Sequence, residues 1–389
     1  MQPELQFDTK ATQLQISGTE HDSSFLLAGF VKRTYDIKDS GKCVLATTQE
    51  PLHLAPVYDE KNKNLLLHDI DCFMHKAATD VVVKGFAQSG RVQSQLTSVI
   101  HVSSQSKPQK FLVSGKRTVV RHQDGRIEFS KPSDFEKISL DYSEAYGGID
   151  HVAERSMELP SKEIMDAMPD HDWYASSPYR YGRNTAGKGF VTNLSEEFLE
   201  TLELPSIEEP TNLLIPANLV LQDLTRWAFQ PVAKSPGWMN HEWFPRILHF
   251  GMMPEAHPAT FKESIPEYYL ETLAPSIFKM PPEAIRLSNR AANGAWPGLQ
   301  LPWMIGNESI RLINIFPDKP DFTIQLPAER PSISVDGRRG KMLATKPELH
   351  SIVVDAENKK LTMVWKGSAP ALRPYLVEEL TKMPFEVKW

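Results

Sequence analysis

The hydrophobic positions in the first part of the chain lie in short runs that are bounded by turn residues, which is typical of antiparallel β-strands. These runs mix β-branched and aromatic residues with polar ones. The strand candidates before residue 114 lie at 25–37, 80–87, 95–102 and 111–113. Two further runs, 117–122 and 126–129, flank Asp124-Gly125, which predicts a hairpin because both turn positions favour positive φ.

The last part of the chain has the same pattern. Residues 310–316 and 322–326 flank the turn-forming segment 317–320, and residues 350–354 and 361–365 flank 355–358. Both pairs are typical of hairpins. Neither end of the chain shows the strand–helix alternation that is expected of a parallel α/β sheet.

The middle of the chain is rich in proline and in aromatic residues. Many of the 30 prolines lie between residues 205 and 331. Proline removes a backbone donor and interrupts helices and central strands, so this part is predicted to form ordered loops. A few short helices are predicted within it and near the end of the chain, at 194–202, 218–227, 264–273 and 374–383.

These patterns predict a mainly β fold. Antiparallel, sandwich-like sheets from both chain ends would surround the Pro- and aromatic-rich middle. We expect residues 1–389 to form a single compact unit, with a β-rich part at 1–140, a loop-rich middle at 141–305, and hairpins at 306–389 that pack on the first part. Two separate β domains are the alternative.

Composition and charge limit the kinds of partner. The charge count of 43 Lys+Arg against 49 Asp+Glu gives a net charge of −6, which argues against nucleic acid because a phosphate backbone needs a basic face. The first residues lack a basic, then apolar, secretory pattern. No apolar run reaches the roughly 18 residues of a membrane helix, and Cys43 and Cys72 form no disulfide framework. We therefore expect a cytoplasmic protein without membrane insertion.

The segment 182–189 (GRNTAGKG) has the G-x4-G-K spacing of a phosphate-binding loop. That motif needs Ser or Thr next, because the hydroxyl holds a magnesium ion, and it follows an apolar strand. Here the next residue is Gly189, and the preceding residues 176–181 (SSPYRY) are not an apolar strand. We interpret the segment as a Gly-rich turn and predict no nucleotide cofactor.

The segment 68–75 (HDIDCFMH) contains several side chains that bind metals. Its spacing matches no zinc or calcium pattern, and on an extended strand the ligands would alternate between two faces and would not converge without a bend. We therefore favour a structural interpretation, in which the carboxylates accept N–H bonds from loops, and predict no metal.

A histidine beside carboxylates can act as a general base, and the candidates here are His241, His249 and His257, with His171-Asp172 upstream. No G-x-S-x-G elbow or Cys–His nucleophile pattern accompanies them. The sequence therefore predicts no catalytic residue and no enzymatic activity.

Large aromatic side chains lie among prolines in the middle of the chain. They are Trp238, Trp243, Phe244, Trp296 and Trp303. Rigid aromatic side chains in Pro-fixed loops suit recognition of a partner, because little conformational freedom is lost on docking. The same residues could bind a sugar by stacking, or could fill a second core beneath long loops.

Several segments together resemble the bacterial family called domain of unknown function 2169. Asp71 followed by 76–85 (KAATDVVVKG) is similar to D-x-x-x-x-K-P-A-T-D with an apolar run and Gly, and 142–150 (YSEAYGGID) to Y-E-x-A-[FY]-G-G-x-D. Residues 184–190 (NTAGKGF) and 204–208 (LPSIE) are similar to N-P-x-G-[RK]-G-[FY] and L-P-N-[IL]-E. The resemblance extends over residues 25 to 370, including the two closing hairpins.

The family-motif residues that this resemblance singles out are Asp71, Lys76, Thr79, Asp80, Asn184, Gly187, Lys188 and Gly189. The chain departs from the family pattern at Ala77 and Thr185, where proline is usual. The segment with phosphate-loop spacing is thus better explained as an element of this family.

The resemblance implies a non-enzymatic adaptor or chaperone of type VI secretion. Such a protein would bind a secreted effector, through the effector's PAAR-like N-terminal region, and load it onto the spike protein. We expect the partner surface to contain Tyr146, Gly147, Gly148, Trp296 and Trp303, and we expect no cofactor. The alternatives are a hydrolase-type enzyme or a carbohydrate-binding β protein that uses the Trp- and His-rich loops at 238–303; the oligomeric state stays open.

Overall fold

A computed structural model describes residues 6–8, 11–19, 24–149, 184–192, 201–221, 230–241, 246, 292–338 and 341–389. The fold is mainly β, as predicted, with several antiparallel sheets. The strands of the first part are β1 (Gln6–Asp8), β2 (Ala11–Thr19), β3 (Phe25–Ile37), β4 (Cys43–Leu45), β5 (Val57–Tyr58), β6 (Leu66–His68), β7 (Thr79–Lys84), β8 (Phe86–Gln93), β9 (Gln95–Val102), β10 (Gln109–Ser114), β11 (Val119–Arg121), β12 (Ile127–Phe129) and β13 (Phe135–Ser139).

The middle and last parts of the chain contribute shorter strands and two long ones. These are β14 (Tyr146–Gly147), β15 (Lys188–Gly189), β16 (Ile207–Glu208), β17 (Gln300–Leu301), β18 (Ser309–Ile313), β19 (Asp321–Gln325), β20 (Ser332–Asp336), β21 (Met342–Ala344), β22 (Glu348–Asp355), β23 (Lys360–Pro370) and β24 (Phe385–Lys388). The helical segments with described bounds are α1 (Val377–Leu380) and the 3-10 turns Pro216–Asn218 and Pro297–Leu299.

The largest sheet combines strands from both ends of the chain. Its order is β1-β2-β3-β23-β22-β7-β17, with β4 paired to β3. Strand β23 is antiparallel to β3 along its whole length, and β22 is parallel to β7. The predicted hairpin at 350–365 is confirmed as β22–β23, but it lies inside the first sheet rather than packing on it. That the whole chain forms one unit stays a prediction.

The second sheet also joins the two ends. Its order is β16-β10-β9-β18-β19, so the predicted strand at 95–102 pairs on one side with that at 111–113 and on the other with the predicted hairpin at 310–326. Side chains of both sheets, including Val82, Ile100 and Ile352, share one hydrophobic cluster. Apolar residues of both sheets therefore form a core between elements that are far apart in sequence.

Glycines with positive φ lie at a predicted turn and at the point where a predicted strand is divided. Gly125 has φ +83 in the turn of the β11–β12 hairpin, as the Asp-Gly signal predicted. The predicted strand at 80–87 is divided at Gly85, where φ is +149 and a Cβ would crowd the side chain of Ala356. The chain therefore leaves the large sheet after β7 and begins β8 in another pairing.

The helix predictions are mostly untested. The candidate at 374–383 contains α1, which is confirmed but short. The candidate at 264–273 lies outside the described residues, as does most of 194–202. The described start of 218–227 does not form a helix, because Val220 instead makes a bridge with Val191 after the 3-10 turn.

A pair of glycines lets a small sheet pack on the large one. Gly29 of β3 lies opposite Gly367 of β23, and the sheet β21-β20-β24 covers them. A Cβ at Gly29 would overlap the ring of Phe385 in β24, and a Cβ at Gly367 would meet Ile333 of β20 and the hydroxyl of Thr345. The absence of side chains at these two positions thus allows close contact between the sheets.

We predict that Gly29→Ala destabilises the protein by about 1–3 kcal/mol, because the added methyl group overpacks the contact with Phe385. The same substitution in a Phe385→Ala background should cost much less, since the space is then available. Urea unfolding of the four proteins measures the coupling. An equal loss of stability in both backgrounds would show that the contact does not determine the packing.

Candidate functional site

Two family-motif residues form a buried ion pair at the start of β7. The ammonium of Lys76 lies 2.7 Å from an Asp80 carboxylate oxygen, and neither side chain is exposed. Lys76 also donates to the hydroxyl of Ser351 at 3.0 Å, which the parallel pairing of β22 with β7 places beside Asp80. The backbone N–H of Gly294 and the side chain of Asn293 donate to the same carboxylate. Asp80 therefore joins β7, β22 and the segment that precedes Trp296.

Thr79 links this ion pair to an exposed loop. Its hydroxyl donates to the carbonyl of Leu349 at 2.7 Å and accepts the N–H of Met304 at 3.0 Å. A buried hydroxyl needs hydrogen-bond partners, and these two bonds use its proton and one of its two lone pairs. The position of Met304, and with it residues 302–306, is thus tied to β7.

A second buried ion pair connects β3 to the segment that follows β6. Lys32 and Asp71 are both buried, with 3.0 Å between ammonium and carboxylate. The backbone N–H of His53 donates to the same oxygen at 2.8 Å. Burial by itself would raise the pKa of Asp71, but the charge of Lys32, the ring of His68 and the N–H of His53 together outweigh burial, and the pKa lies below its usual value. Asp71 is therefore a carboxylate at neutral pH.

Asp69 is the centre of a third cluster. His241 Nε2 lies 2.6 Å from one carboxylate oxygen, and the guanidinium of Arg246 lies 2.8 Å from the other. Burial opposes ionisation, yet Arg246 and His241 lower the pKa of Asp69 to about 2. Of the candidate general bases, His241 is thus held by a buried carboxylate; His171, His249 and His257 lie outside the described residues.

The segment 68–75 bends after β6, which changes the expected placement of its side chains. The chain leaves the strand at His68, so Asp71 comes close to the ring of His68 instead of alternating with it. One donor atom each from His53, His68 and Asp71 lies within 4.8 Å of the others. The carboxylates also accept loop N–H bonds, as the structural interpretation requires: Ile70 N–H donates to Asp69, and His53 N–H to Asp71.

The second and third family motifs pack against each other. Strand β14 is parallel to β15, and Asn184 Nδ2 donates to the carbonyls of Tyr142 and Tyr146 at 2.7 and 3.2 Å. Gly147 has φ +145, and a Cβ there would overlap the carbonyl of Asn184. The glycines therefore allow close approach of the chain's own backbone.

Lys188 does not present its charge to a phosphate. Its ammonium lies 2.8 Å from the carboxylate of Glu144 and 3.4 Å from that of Glu203. Burial lowers the pKa of Lys188, but the two carboxylates outweigh burial and raise it above its usual value. An anion would have to compete with both, which agrees with the interpretation of this segment as a structural turn.

Most of the predicted partner surface is buried in the structure. Tyr146, Gly147, Gly148 and Trp296 are buried, with Trp296 only 1% exposed. The backbone of residues 184–189 lies against the two glycines, in the space that a side chain there would occupy. The side chain of Trp296 is part of the main hydrophobic cluster. In this structure these four residues are covered by the chain itself.

Trp303 is the member of the predicted surface that is exposed. Its exposed fraction is 38%, and that of Ile305 two residues later is 52%. We call residues 302–306 the Trp303 loop. The N–H groups of Ile305 and Gly306 both donate at 2.9 Å to the carboxylate of Glu308. With the bond from the N–H of Met304 to Thr79, these contacts hold the backbone that carries the two apolar side chains.

A buried histidine supports Trp303 from beneath. The rings of Trp303 and His350 stack with centroids 5.5 Å apart, and Phe30 contacts His350 edge-on. Burial lowers the pKa of His350 to about 4, although Glu348 opposes this effect. His350 is therefore a neutral aromatic ring at physiological pH, and Trp303 packs on it as on an apolar surface.

Sequence reasoning missed Lys32, Glu308 and His350. A signal was present for Lys32, because a lysine inside a long buried strand needs a carboxylate partner. No comparable local signal identified Glu308 or His350. Of the other aromatic candidates, Trp238 is 2% exposed, while Trp243 and Phe244 lie outside the described residues.

Comparisons with known proteins identify a family. Residues 23–366 of the 389-residue chain match the family described as uncharacterized protein conserved in bacteria (DUF2169). No curated protein and no solved structure matches the chain. Among the described residues, no helix is long and apolar enough to cross a membrane.

We predict that Asp80→Asn destabilises the protein by about 3–5 kcal/mol, because it leaves the buried ammonium of Lys76 without a negative charge. The control is Asp321→Asn, which breaks an ion pair with Arg311 between half-exposed side chains and should change stability little. Urea unfolding at pH 7 measures both. A small and equal effect of the two substitutions would contradict the assigned role of Asp80.

Acidification should lower the free energy of unfolding through protonation of His350. The unfolded state takes up a proton near pH 6.5, whereas the folded state does so only at about pH 4, so the stability contributed by neutral His350 is lost as pH falls between these values. From pH 7 to pH 5 the loss is about 2 kcal/mol.

The variant His350→Phe should lack this part of the pH dependence, since phenylalanine fills similar space without titrating. Urea unfolding at pH 7 and pH 5 compares it with the wild type. A substitution on the β11–β12 hairpin, His122→Phe, leaves His350 in place and should retain the wild-type pH dependence. Identical pH dependence in His350→Phe and the wild type would refute the assignment.

Proposed function

The chain belongs to the DUF2169 family, and we propose that it is a non-enzymatic adaptor or chaperone that holds a secreted effector of a type VI secretion system. In this proposal the protein acts in the bacterial cytoplasm. It binds the PAAR-like N-terminal region of the effector and helps to load it onto the spike protein. The resemblance of the sequence motifs to this family implies the role. The surface that would perform it lies among the residues that the structure describes.

The Trp303 loop is the observation that carries the proposal. It presents the exposed side chains of Trp303 and Ile305 on a backbone that Thr79 and Glu308 hold through three hydrogen bonds. A large apolar side chain that is already fixed loses little conformational entropy when a partner covers it. Tryptophan is also enriched among the residues that contribute most to protein interfaces.

The polar clusters support a binding role rather than catalysis. Ser351 and Lys76 lie within hydrogen-bonding distance, as a serine nucleophile and its base would, but both are buried and Lys76 is paired with Asp80. His241 is paired with Asp69, which is itself buried against Arg246. Groups that satisfy one another inside the fold do not face a substrate, so the hydrolase alternative has less support.

The burial of tryptophans also weighs against the carbohydrate-binding alternative. Stacking on a sugar ring needs aromatic faces that are open to solvent. Trp238 and Trp296 are both buried, which leaves Trp303 as the exposed tryptophan of the described candidates. One exposed ring beside Ile305 is better suited to an apolar protein surface than to a row of sugar-stacking platforms.

We predict that Ile305→Asp reduces binding of the effector at least about tenfold, because it places a charge in the centre of the proposed apolar contact. The measurement is co-purification of the effector from the same bacterium with tagged full-length protein. Leu376→Asp is the matched control, since Leu376 is 70% exposed and precedes α1 in another part of the structure.

Trp303→Ala should have a similar effect on binding, although it also removes the stacking on His350. Circular dichroism and urea unfolding establish that each variant is folded before binding is measured. If both folded variants retain the effector as well as the Leu376→Asp control does, the Trp303 loop is not the binding surface.

A further inference from the structure

Two loops bring the rings of two histidines together beside a carboxylate. His53 lies between β4 and β5, and His68 ends β6. Their ring centroids are 3.7 Å apart, and one donor atom from each ring lies within 4.8 Å of the other and of an oxygen of Asp71. This group lies outside the Trp303 loop and plays no part in the proposed binding of an effector.

The tautomer of His68 is fixed by the backbone. Its Nδ1 lies 2.7 Å from the carbonyl oxygen of Asp69, so Nδ1 carries the proton and Nε2 carries the lone pair. Nε2 is buried and has no hydrogen-bond partner among the described residues. A buried nitrogen without a partner is costly, and a histidine that donates one N–H to a carbonyl while its other nitrogen is free has the arrangement of a metal ligand.

The two histidines differ in their access to solvent. His68 is buried. His53 is only partly buried, so an ion has access from solvent on that side.

Lys32 competes for Asp71, but it has a second partner. Its ammonium lies 3.0 Å from Asp71 and 3.9 Å from the carboxylate of Glu50. Glu50 is held through its backbone, whose carbonyl accepts from Thr12 and whose N–H donates to Thr34. When a cation takes an oxygen of Asp71, the ammonium can pair with Glu50 and does not become an isolated buried charge.

We propose that His53, His68 and Asp71 form a binding site for a divalent transition metal such as Zn²⁺. Two imidazole nitrogens and a carboxylate are ligands that zinc uses, whereas calcium and magnesium prefer oxygen ligands alone. Three protein ligands leave a coordination position for water. The bound ion would join the loop that contains His53 to the end of β6 and the segment that follows it.

The test uses the purified full-length protein after treatment with a chelator. Titration calorimetry with ZnCl₂ should give one ion per chain, and Co²⁺ in place of zinc should give the visible absorption of a site with low coordination number. His53→Gln should weaken zinc binding at least about tenfold and abolish the cobalt absorption. His122→Gln, which alters a partly exposed histidine on the β11–β12 hairpin, is the control and should bind as the wild type does.

His53 is chosen because it is only partly buried, whereas substitution of Asp71 would leave Lys32 without its partner. Glu50→Gln is a second test that leaves all three ligands in place. It should also weaken zinc binding about tenfold, because the ammonium of Lys32 then has no carboxylate to receive it. Absence of zinc binding in the wild type, or equal affinity in wild type, His53→Gln and Glu50→Gln, would overturn the proposal.

Discussion

Two lysine ammonium groups buried at the large sheet are the constraint on which the rest of the structure depends. Lys32 of β3 is paired with buried Asp71 in the segment between β6 and β7, and Lys76 of that segment is paired with buried Asp80 in β7. A buried ammonium that loses its buried carboxylate partner costs several kcal/mol, so this segment cannot leave the sheet without a large penalty. The two ion pairs therefore fix a stretch of chain that has little regular structure of its own, and they explain in physical terms why Asp71, Lys76 and Asp80 occur together in the family motif.

The exposed apolar surface is built outward from this buried network. Asp80 accepts hydrogen bonds from the segment before Trp296, and the adjacent Thr79 accepts the N–H of Met304. The Trp303 loop thus begins on residues that are themselves held by an ion pair. The neutral ring of His350, from the inserted hairpin β22–β23, then supports Trp303 from beneath. A surface that is fixed by the interior at several points keeps its shape when free, and this is what a protein needs if it must bind an apolar client without first ordering a loop.

The sequence predicts where the strands lie better than it predicts which strands pair with each other. Hairpins such as β22–β23 follow from local alternation and turn residues, and so does the hairpin at Gly125. The insertion of β22–β23 between β3 and β7 has no local signal, because pairing between distant strands depends on the whole core. Gly147 and Trp296 show the same limit at the site: the sequence indicates that backbone approaches a glycine and that a tryptophan is covered, but in both cases the covering group belongs to the same chain. Trp303 differs from Trp296 only in the tertiary contacts that leave its ring exposed.

The buried charges also explain how such an apolar sheet selects one register. Strands β3, β23, β22 and β7 are buried along most of their lengths, so hydrophobic contacts alone would tolerate a shift of one strand against another. A shift of β3 by one residue would turn Lys32 to the opposite face, away from Asp71, and a shift of β22 would remove Ser351 from Lys76. Buried ion pairs add little net stability compared with apolar residues, but they make the wrong registers expensive. The polar residues of the family motif thus act first on the uniqueness of the fold, and through the fold they determine where the exposed apolar side chains lie.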